Sequence, residues 1–244
     1  MPSKEAFEEG KSIKKEVENL WHAPKYYYHL RKGGHVAALK SHAHHVFFAH
    51  LDIKNFFSSI GKSRITRSLK SHVGYLRARD IAEKSTVPQP FSEGETLDKA
   101  LPFGFVQSPV IASLCLRKSA LGRFLSEVHK EKRLSVSVYM DDIILSSDDN
   151  DFLTSIYDET RRLAERSRLL INNRKSEPPS EKITAFNIEL SNNSLKINQE
   201  RFRKLSEEYN KSNNKDQKEG ILGYVNSVNE RQAILLLSGE LTAL

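Results

Sequence analysis

Between Leu134 and Ser147 the chain changes rhythm. Leu134, Val136 and Val138 alternate with Ser135, Ser137 and Tyr139, the period of a strand with one buried face. Ile143-Ile144-Leu145 open a second β-rich run directly afterwards. The two runs predict a hairpin with Met140, Asp141 and Asp142 at its tip. Val46 to Ile60 begins as a third β-rich run, and Asp52 lies inside it rather than in a loop. Helical spacing marks residues 4–20, where Phe7, Ile13, Val17 and Leu20 form an apolar stripe. Pro24 interrupts that pattern, and residues 26–34 read as a strand running into a Gly33-Gly34 turn. Residues 85–100 are polar, carry Pro88, Pro90 and Gly94, and read as a loop. Ser108-Pro109 predicts a helix start, serine as N-cap and proline in the first turn, with apolar residues continuing through Leu125. Asp148 to Asp151 cap a predicted helix to about Ser167, with Phe152, Ile156, Leu163 and Ala164 inward. A short strand at 169–171 follows. Then come a hairpin of 183–190 with 194–197 around Asn192-Asn193, a helix through Phe202, Leu205 and Tyr209, a polar linker at 212–218 and a mostly helical end from Ile221.

At 244 residues the chain is long enough for one large domain, or one domain with small lobes. Its apolar and charged content is that of a soluble globular protein. The net charge of +7 favours a polyanionic partner, most simply nucleic acid. Cys115 is the sole cysteine, which excludes an internal disulfide and a cysteine-based zinc site and suits a reducing cytosol. No apolar run reaches the length of a membrane span, and the first residues lack the apolar segment of a signal peptide. The expectation is a cytoplasmic protein with no membrane contact.

Adjacent carboxylates between core-forming strands repel each other and are costly to desolvate unless a cation sits there. Asp141-Asp142 therefore reads as a divalent-metal site, with a plain acidic turn as the alternative. Asp52, alone inside a strand, calls for an ion-pair partner or a metal. Seven of the nine histidines fall between His22 and His50. Zinc would want fixed ligand spacing and a carboxylate or thiolate partner, neither of which is evident, so these read as surface or nucleic-acid-contacting residues. From Lys54 to Lys84 there are eight lysines or arginines against two acids. Lys62, Arg64, Arg67 and Lys70 sit near helical spacing, which makes either a phosphate-binding face or a merely solvated one. The loop that feeds the Ser108 helix start is a favourable place for an anionic group.

The order of these pieces carries a resemblance. Asp52 in Leu-Asp-Ile-Lys-Asn-Phe-Phe precedes Leu101-Pro-Phe-Gly-Phe-Val-Gln-Ser-Pro109, then Tyr139-Met-Asp-Asp142, then Asn172-x-x-Lys175, then a hairpin. Over about residues 46–198 this resembles the reverse transcriptases, especially bacterial ones related to retrons, group II introns and phage-defence systems. The resemblance implies an α+β fold: a right-hand polymerase palm of antiparallel sheet and packed helices, with reduced fingers and a small helical thumb. Residues 1–45 would be the reduced fingers, 46–198 the palm (with finger elements about 58–100) and 199–244 the thumb-like segment. It implies two magnesium ions held by Asp52, Asp141 and Asp142 and completed by the Ile53 carbonyl. One would activate the primer 3′-hydroxyl and the other grip the triphosphate. Lys175 would stand near the pyrophosphate, as its proton donor. Phe57 would exclude a ribose 2′-hydroxyl, and Phe103, Gly104, Ser108, Pro109, Tyr139 and Met140 would lie by the incoming nucleotide. Lys62, Arg64, Arg67 and Lys70 would face nucleic acid.

Three departures qualify the match. Phe103 replaces the usual glutamine, Ser113 an asparagine common in bacterial relatives, and no arginine follows Lys32-Gly33-Gly34-His35. Thr184-Ala185-Phe186 stands where retrons carry Val-Thr-Gly, nearer the defence-associated group. The expected activity is RNA-directed DNA synthesis from deoxynucleoside triphosphates, with an RNA template and a DNA product. The alternatives are template-independent or protein-primed synthesis by the same fold, and an inactive nucleic-acid-binding subunit. With little chain on either side of the palm and an apolar tail (Ile221 to Val225, Ala233 to Leu237), a partner is expected: another copy, a second protein or a structured RNA.

Overall fold

The computed structural model describes residues 3–89 and 99–239. Its first half runs α1 (Lys4–Leu20), a 3-10 turn (Tyr28–Leu30), α2 (Gly34–Lys40), β1 (Phe47–Asp52), α3 (Lys62–Lys84), β2 (Val87–Pro88), β3 (Lys99–Ala100), α4 (Ser108–Lys118) and α5 (Ala120–Val128). The second half runs β4 (Ser135–Tyr139), β5 (Asp142–Ser147), α6 (Asn150–Arg166), β6 (Glu177–Ser180), β7 (Lys182–Ala185), β8 (Ile188–Ser191) and β9 (Ser194–Ile197). Three helices close the chain: α7 (Gln199–Lys211), α8 (Lys215–Val228) and α9 (Glu230–Ser238).

The centre is an antiparallel sheet in the order β4-β5-β1-β6. Side chains alternate across a strand, so the register divides the sheet into two faces. Ala49, Leu51, Val136, Val138, Ile143 and Leu145 share one face and pack with Ile111, Leu121 and Leu153 from α4, α5 and α6. Phe48, His50, Asp52, Ser137, Tyr139, Asp142, Ile144 and Ser146 share the other. There Phe48 and Ile144 join a second core with Leu39 of α2, the β7-β8-β9 sheet and α7 to α9.

The predicted hairpin, α1 and α6 form as expected. Ser3 caps α1 by accepting from the Ala6 N–H, and Asp149 caps α6 by accepting from the Phe152 N–H. Of the α1 stripe, Ile13 and Val17 are buried while Phe7 and Leu20 are exposed. Several expectations are corrected. Residues 26–34 form no strand: Tyr27 makes one bridge to Val138, and Gly33 and Gly34 adopt positive φ and lead into α2. Likewise Ile171 makes only a bridge to Ile53. Ser108 is the first residue of α4 rather than its cap, which is Gln107. The apolar run to Leu125 is two helices, broken at Ser119, which accepts from the Gly122 N–H. A Cβ at Gly122 would meet the Leu116 carbonyl at 2.0 Å, so the corner needs glycine.

Residues 183–190 are themselves a hairpin, β7 and β8, turning at Phe186-Asn187 with both φ positive. Of the loop expected at 85–100, the ends pair as β2 and β3, and residues 90–98 lie outside the described residues. His42, His45 and His50 are buried, not superficial. His42 bridges Ser146 and Ser137 at 2.7 and 2.8 Å, and His45 lies 3.1 Å from Ser135. The C-terminal apolar tail has more to cover it than the sequence suggested, since Val225, Val228, Ala233 and Leu236 sit in the second core. Ile234 and Leu237 stay exposed. Among the described residues no helix is long and apolar enough to cross a membrane.

Candidate active site

At one end of the second face, β1 and β5 set Asp52 opposite Asp142, so both carboxylates point to the same side. Asp141 stands in the turn between Tyr139 and Asp142, preceded by Met140 at φ 57°. A positive φ is uncommon outside glycine and persists only where the surroundings hold it. Two hydrogen bonds hold it here. The Ile53 N–H donates to the Asp141 carbonyl at 2.9 Å, and the Met140 N–H donates to His29 Nδ1 at 2.9 Å. His29 Nε2 lies 2.7 Å from Ser113 Oγ, and that hydroxyl donates to the Pro109 carbonyl at 2.7 Å. Accepting from Met140 requires a bare Nδ1. The ring proton therefore sits on Nε2 and goes to Ser113, a tautomer assigned from the hydrogen-bond pattern. Burial keeps the ring neutral, with its pKa pushed down to about 4.

The three acids have different surroundings. Asp142 Oδ1 lies 2.7 Å from Nε2 of the buried His50, whose Nδ1 has no hydrogen-bond partner among the described residues. Asp52 Oδ2 lies 3.5 Å from Lys175 Nζ, and the Asp52 N–H donates to Ser176 Oγ. Among the described residues Asp141 has no cation within ion-pair distance: burial first, then the charges of Asp142 and Asp52, raise its carboxyl to about 6, against a smaller opposing pull from Lys175. Among the described residues no three histidine, cysteine or acidic side chains converge into a ready metal-ligand group. The donor chemistry nonetheless suits a hard divalent cation, because carboxylate oxygens crowd together short of positive charge. Around Ile53 the ladder bonds run from the Lys54 N–H to Leu170 and from the Asn172 N–H to Asp52, leaving the Ile53 carbonyl out.

A cleft of about 610 Å³ brings Asp52, Ile53, Asp141, Lys175, Phe57 and Phe103 together. Phe57 packs against Phe56 (ring centroids 5.6 Å apart) and meets Phe103 edge-on at 6.0 Å. Phe56 is core, whereas Phe103 is 85% exposed. The other expected residues stand off the cleft wall. Asp142 turns to His50, Ser108 is fully buried, and Gly104 turns its loop at φ 100°. Tyr139 packs among the rings of His29, His35 and Phe186. On α3, Lys62 pairs with Glu83, Arg64 donates to the Ser167 carbonyl at 2.5 Å, and Arg67 and Lys70 are exposed. The sequence reading missed His29 and His50. For His50 a signal existed: it lies two residues before Asp52 on one strand, hence on the same face.

A family model described as reverse transcriptase (RNA-dependent DNA polymerase) matches residues 6–209. An enzymatic polyprotein of Cassava vein mosaic virus is 25% identical over 143 residues, which is 59% of this chain and 20% of that protein. The chain thus spans about a fifth of that relative. Among solved structures, telomerase from Candida albicans with a fragment of telomeric RNA is similar at a TM-score of 0.57 and 9% identity. That match covers 94% of this chain and 47% of the telomerase, a likeness of fold. A foamy viral protease-reverse transcriptase with an RNA/DNA hybrid gives a TM-score of 0.47 at 14% identity, over 81% of this chain and 24% of that one.

Proposed function

The chain belongs to the reverse transcriptase family, and on that premise we propose that its cleft extends a DNA primer along an RNA template. Asp52 and Asp141, with the Ile53 carbonyl, would hold two magnesium ions. When bound, these lower the pKa of the primer hydroxyl and neutralise the triphosphate. Asp142 would act from behind, its orientation set by His50. The observation that carries this reading is Asp141, whose carboxyl stands beside two other acids and is raised to about 6, with no cation in ion-pair distance among the described residues. Lys175, on the cleft wall and 3.5 Å from Asp52, would hold a proton near a departing diphosphate. Phe57 is the proposed barrier to a ribose hydroxyl, held by Phe56 and Phe103. We propose residues 46–198 as the palm, 1–45 as reduced fingers and 199–244 as the thumb.

Phe103 favours a second reading. An exposed ring stands where an amide would contact the nucleotide, which suits synthesis less dependent on a template. One experiment separates the readings: purified protein, magnesium, labelled deoxynucleotides and a primer, with and without an RNA template. Product only with template is the expected result, product without it supports the second reading, and none in either arm leaves a binding subunit. A place in phage defence is proposed on sequence resemblance, and plaque counts on cells carrying the wild-type or Asp141→Asn gene test it. The proposed partner now rests on Ile234 and Leu237, and light scattering on nuclease-treated protein reads it.

A further inference from the structure

Tyr139 ends β4 just before the Met140 turn, and its ring is not part of the cleft wall. It meets His35 edge-on at 5.9 Å and Phe186 edge-on at 5.2 Å. His35 and Phe186 lie 5.2 Å apart, so these three rings touch pairwise. His35 also meets Tyr224 of α8 at 6.0 Å. Rings from α2, β4, the β7–β8 turn and α8 thus form one cluster, and His35 touches the other three.

Two unusual turns bring the rings together. Gly33 and Gly34 both take positive φ, at 92° and 54°, and Tyr139 lies over Gly34, where a Cβ would stand 3.9 Å from its ring. Phe186 takes φ 57° and Asn187 φ 60°. That conformation is rare for a bulky residue and persists only where the surroundings hold it. Glycine would make the same turn at less cost, but it would bring no ring to Tyr139 and His35. Among the described residues His35 makes no hydrogen bond and no ion pair, so ring contact is what orients it. Burial holds its pKa below the ordinary histidine value, which keeps it neutral near pH 7.

Helix α8 is lightly anchored. Val225 and Val228 are its buried side chains, while Gly220, Gly223, Asn226 and Ser227 are exposed. It packs on α7, α9 and β9, and Tyr224 reaches beyond them to α2. An element with so little buried surface opens more readily than the central strands.

We propose that His35 is a positioning residue, which ties the seating of α8 to the turn carrying Asp141, so that this carboxylate is held in place only while α8 is docked. Such a coupling is reciprocal: freeing α8 loosens the turn, and disturbing the turn loosens α8. It rests on the polymerase reading in one respect, that Asp141 acts at the reacting centre. The ring linkage does not depend on it.

The test has two arms, both on the full chain. Hydrogen exchange, without metal, nucleotide or nucleic acid, is followed in peptides covering α8 and the Tyr139–Asp142 turn. His35→Leu should speed exchange in both by about threefold or more, and His35→Phe, which keeps a ring, should return both to near wild type. In the second arm, primer extension is measured for Tyr224→Leu, His35→Leu and the double variant. Each single change should lower kcat by about fivefold, with KM for deoxynucleotide and for primer–template within about twofold of wild type. The double variant should be little worse than either, because both cut the same linkage. Tyr209→Leu, which removes a ring from the second core outside the cluster, should leave kcat unchanged. Faster exchange confined to α2 overturns the proposal, and so does an additive double variant. A raised KM with unchanged kcat in Tyr224→Leu also overturns it, making that ring a contact for nucleic acid. If wild type incorporates nothing, the polymerase reading fails and the exchange arm alone decides the linkage. Should His35→Leu melt far below wild type, Tyr224→Leu carries both arms, and unchanged exchange at the turn overturns the proposal.

Discussion

The two faces of the β4-β5-β1-β6 sheet come from the same strands, one residue out of step, yet they are built on different physics. On the first, Ala49, Leu51, Val136, Val138, Ile143 and Leu145 meet helices through apolar contact alone. On the second, polar side chains interrupt the apolar ones, and almost every polar group has a named partner: His42 with Ser137 and Ser146, His50 with Asp142, Asp52 with Lys175. The first face can tolerate looser geometry, because burial is non-directional. The second cannot, because a hydrogen bond fails within a few tenths of an ångström and tens of degrees. A purely apolar face and one that sets directed polar contacts among a second core are thus separated by about the thickness of a backbone.

The sharpest test of that division is Asp141→Asn or Asp52→Asn. Nucleotide incorporation should fall by about 10³-fold or more, as several kcal/mol of metal-linked stabilisation is lost, while the melting temperature holds or rises. The sign follows from Asp141. Its folded pKa of about 6 lies above the ordinary carboxylate value, so ionising it weakens the fold as pH rises through that interval. Metal-free wild type should lose stability between about pH 4 and 6, and Asp141→Asn should lose less. A variant that kept near-normal incorporation would remove the carboxylate from the site.

Leu51→Ala probes the opposite face. A fully buried leucine there should be worth about 2–5 kcal/mol of stability, measured by denaturant titration, with activity per folded molecule retained. Strong loss of activity without loss of stability would break the comparison.

His29→Leu should cost about tenfold in kcat with little change in KM, since it leaves the Met140 N–H without an acceptor at about 1–3 kcal/mol. His29→Gln, whose amide can accept from Met140 and donate to Ser113, should restore most of it. A protein that merely needed bulk at this position would be rescued equally by leucine. The pH direction is also fixed. With a folded pKa of about 4 against an ordinary 6.5, neutral His29 stabilises the fold above 6.5, and that contribution fades as pH falls toward 4. His29→Gln should flatten the loss. Phe57→Ala, the mildest change, should leave stability within about 2 kcal/mol, since the ring is only half buried, and admit ribonucleotides. Unchanged selectivity would return Phe57 to packing.

The first face was legible in the sequence and the second only in part. Val136, Val138, Ile143 and Leu145 announce buried strands by period and β-branching, and Asp52 and Tyr139-Met-Asp-Asp142 by their order. The same alternation predicts one buried face, because periodicity cannot report that His42, just past the end of α2, bonds the serines on the other. His42 and His29 find their partners about a hundred residues away, a distance no local pattern spans. Phe186-Asn187 turns the chain without glycine, so the β7–β8 hairpin went unseen. Strand β6 was hidden by Pro178 and Pro179, which argue against a strand except at an edge.

Those prolines have a consequence for how the molecule can meet its own kind. Backbone donors of a strand alternate in direction, so one of two neighbouring prolines must leave a gap on the outward side of β6. At the far margin of the sheet, Tyr26 accepts from the Val138 N–H and Tyr27 bridges beside it, capping β4. Neither margin offers a continuous row of free amides to an incoming strand, the usual template for fibril growth. Crowded copies of this chain would find on this sheet no open margin to zip onto.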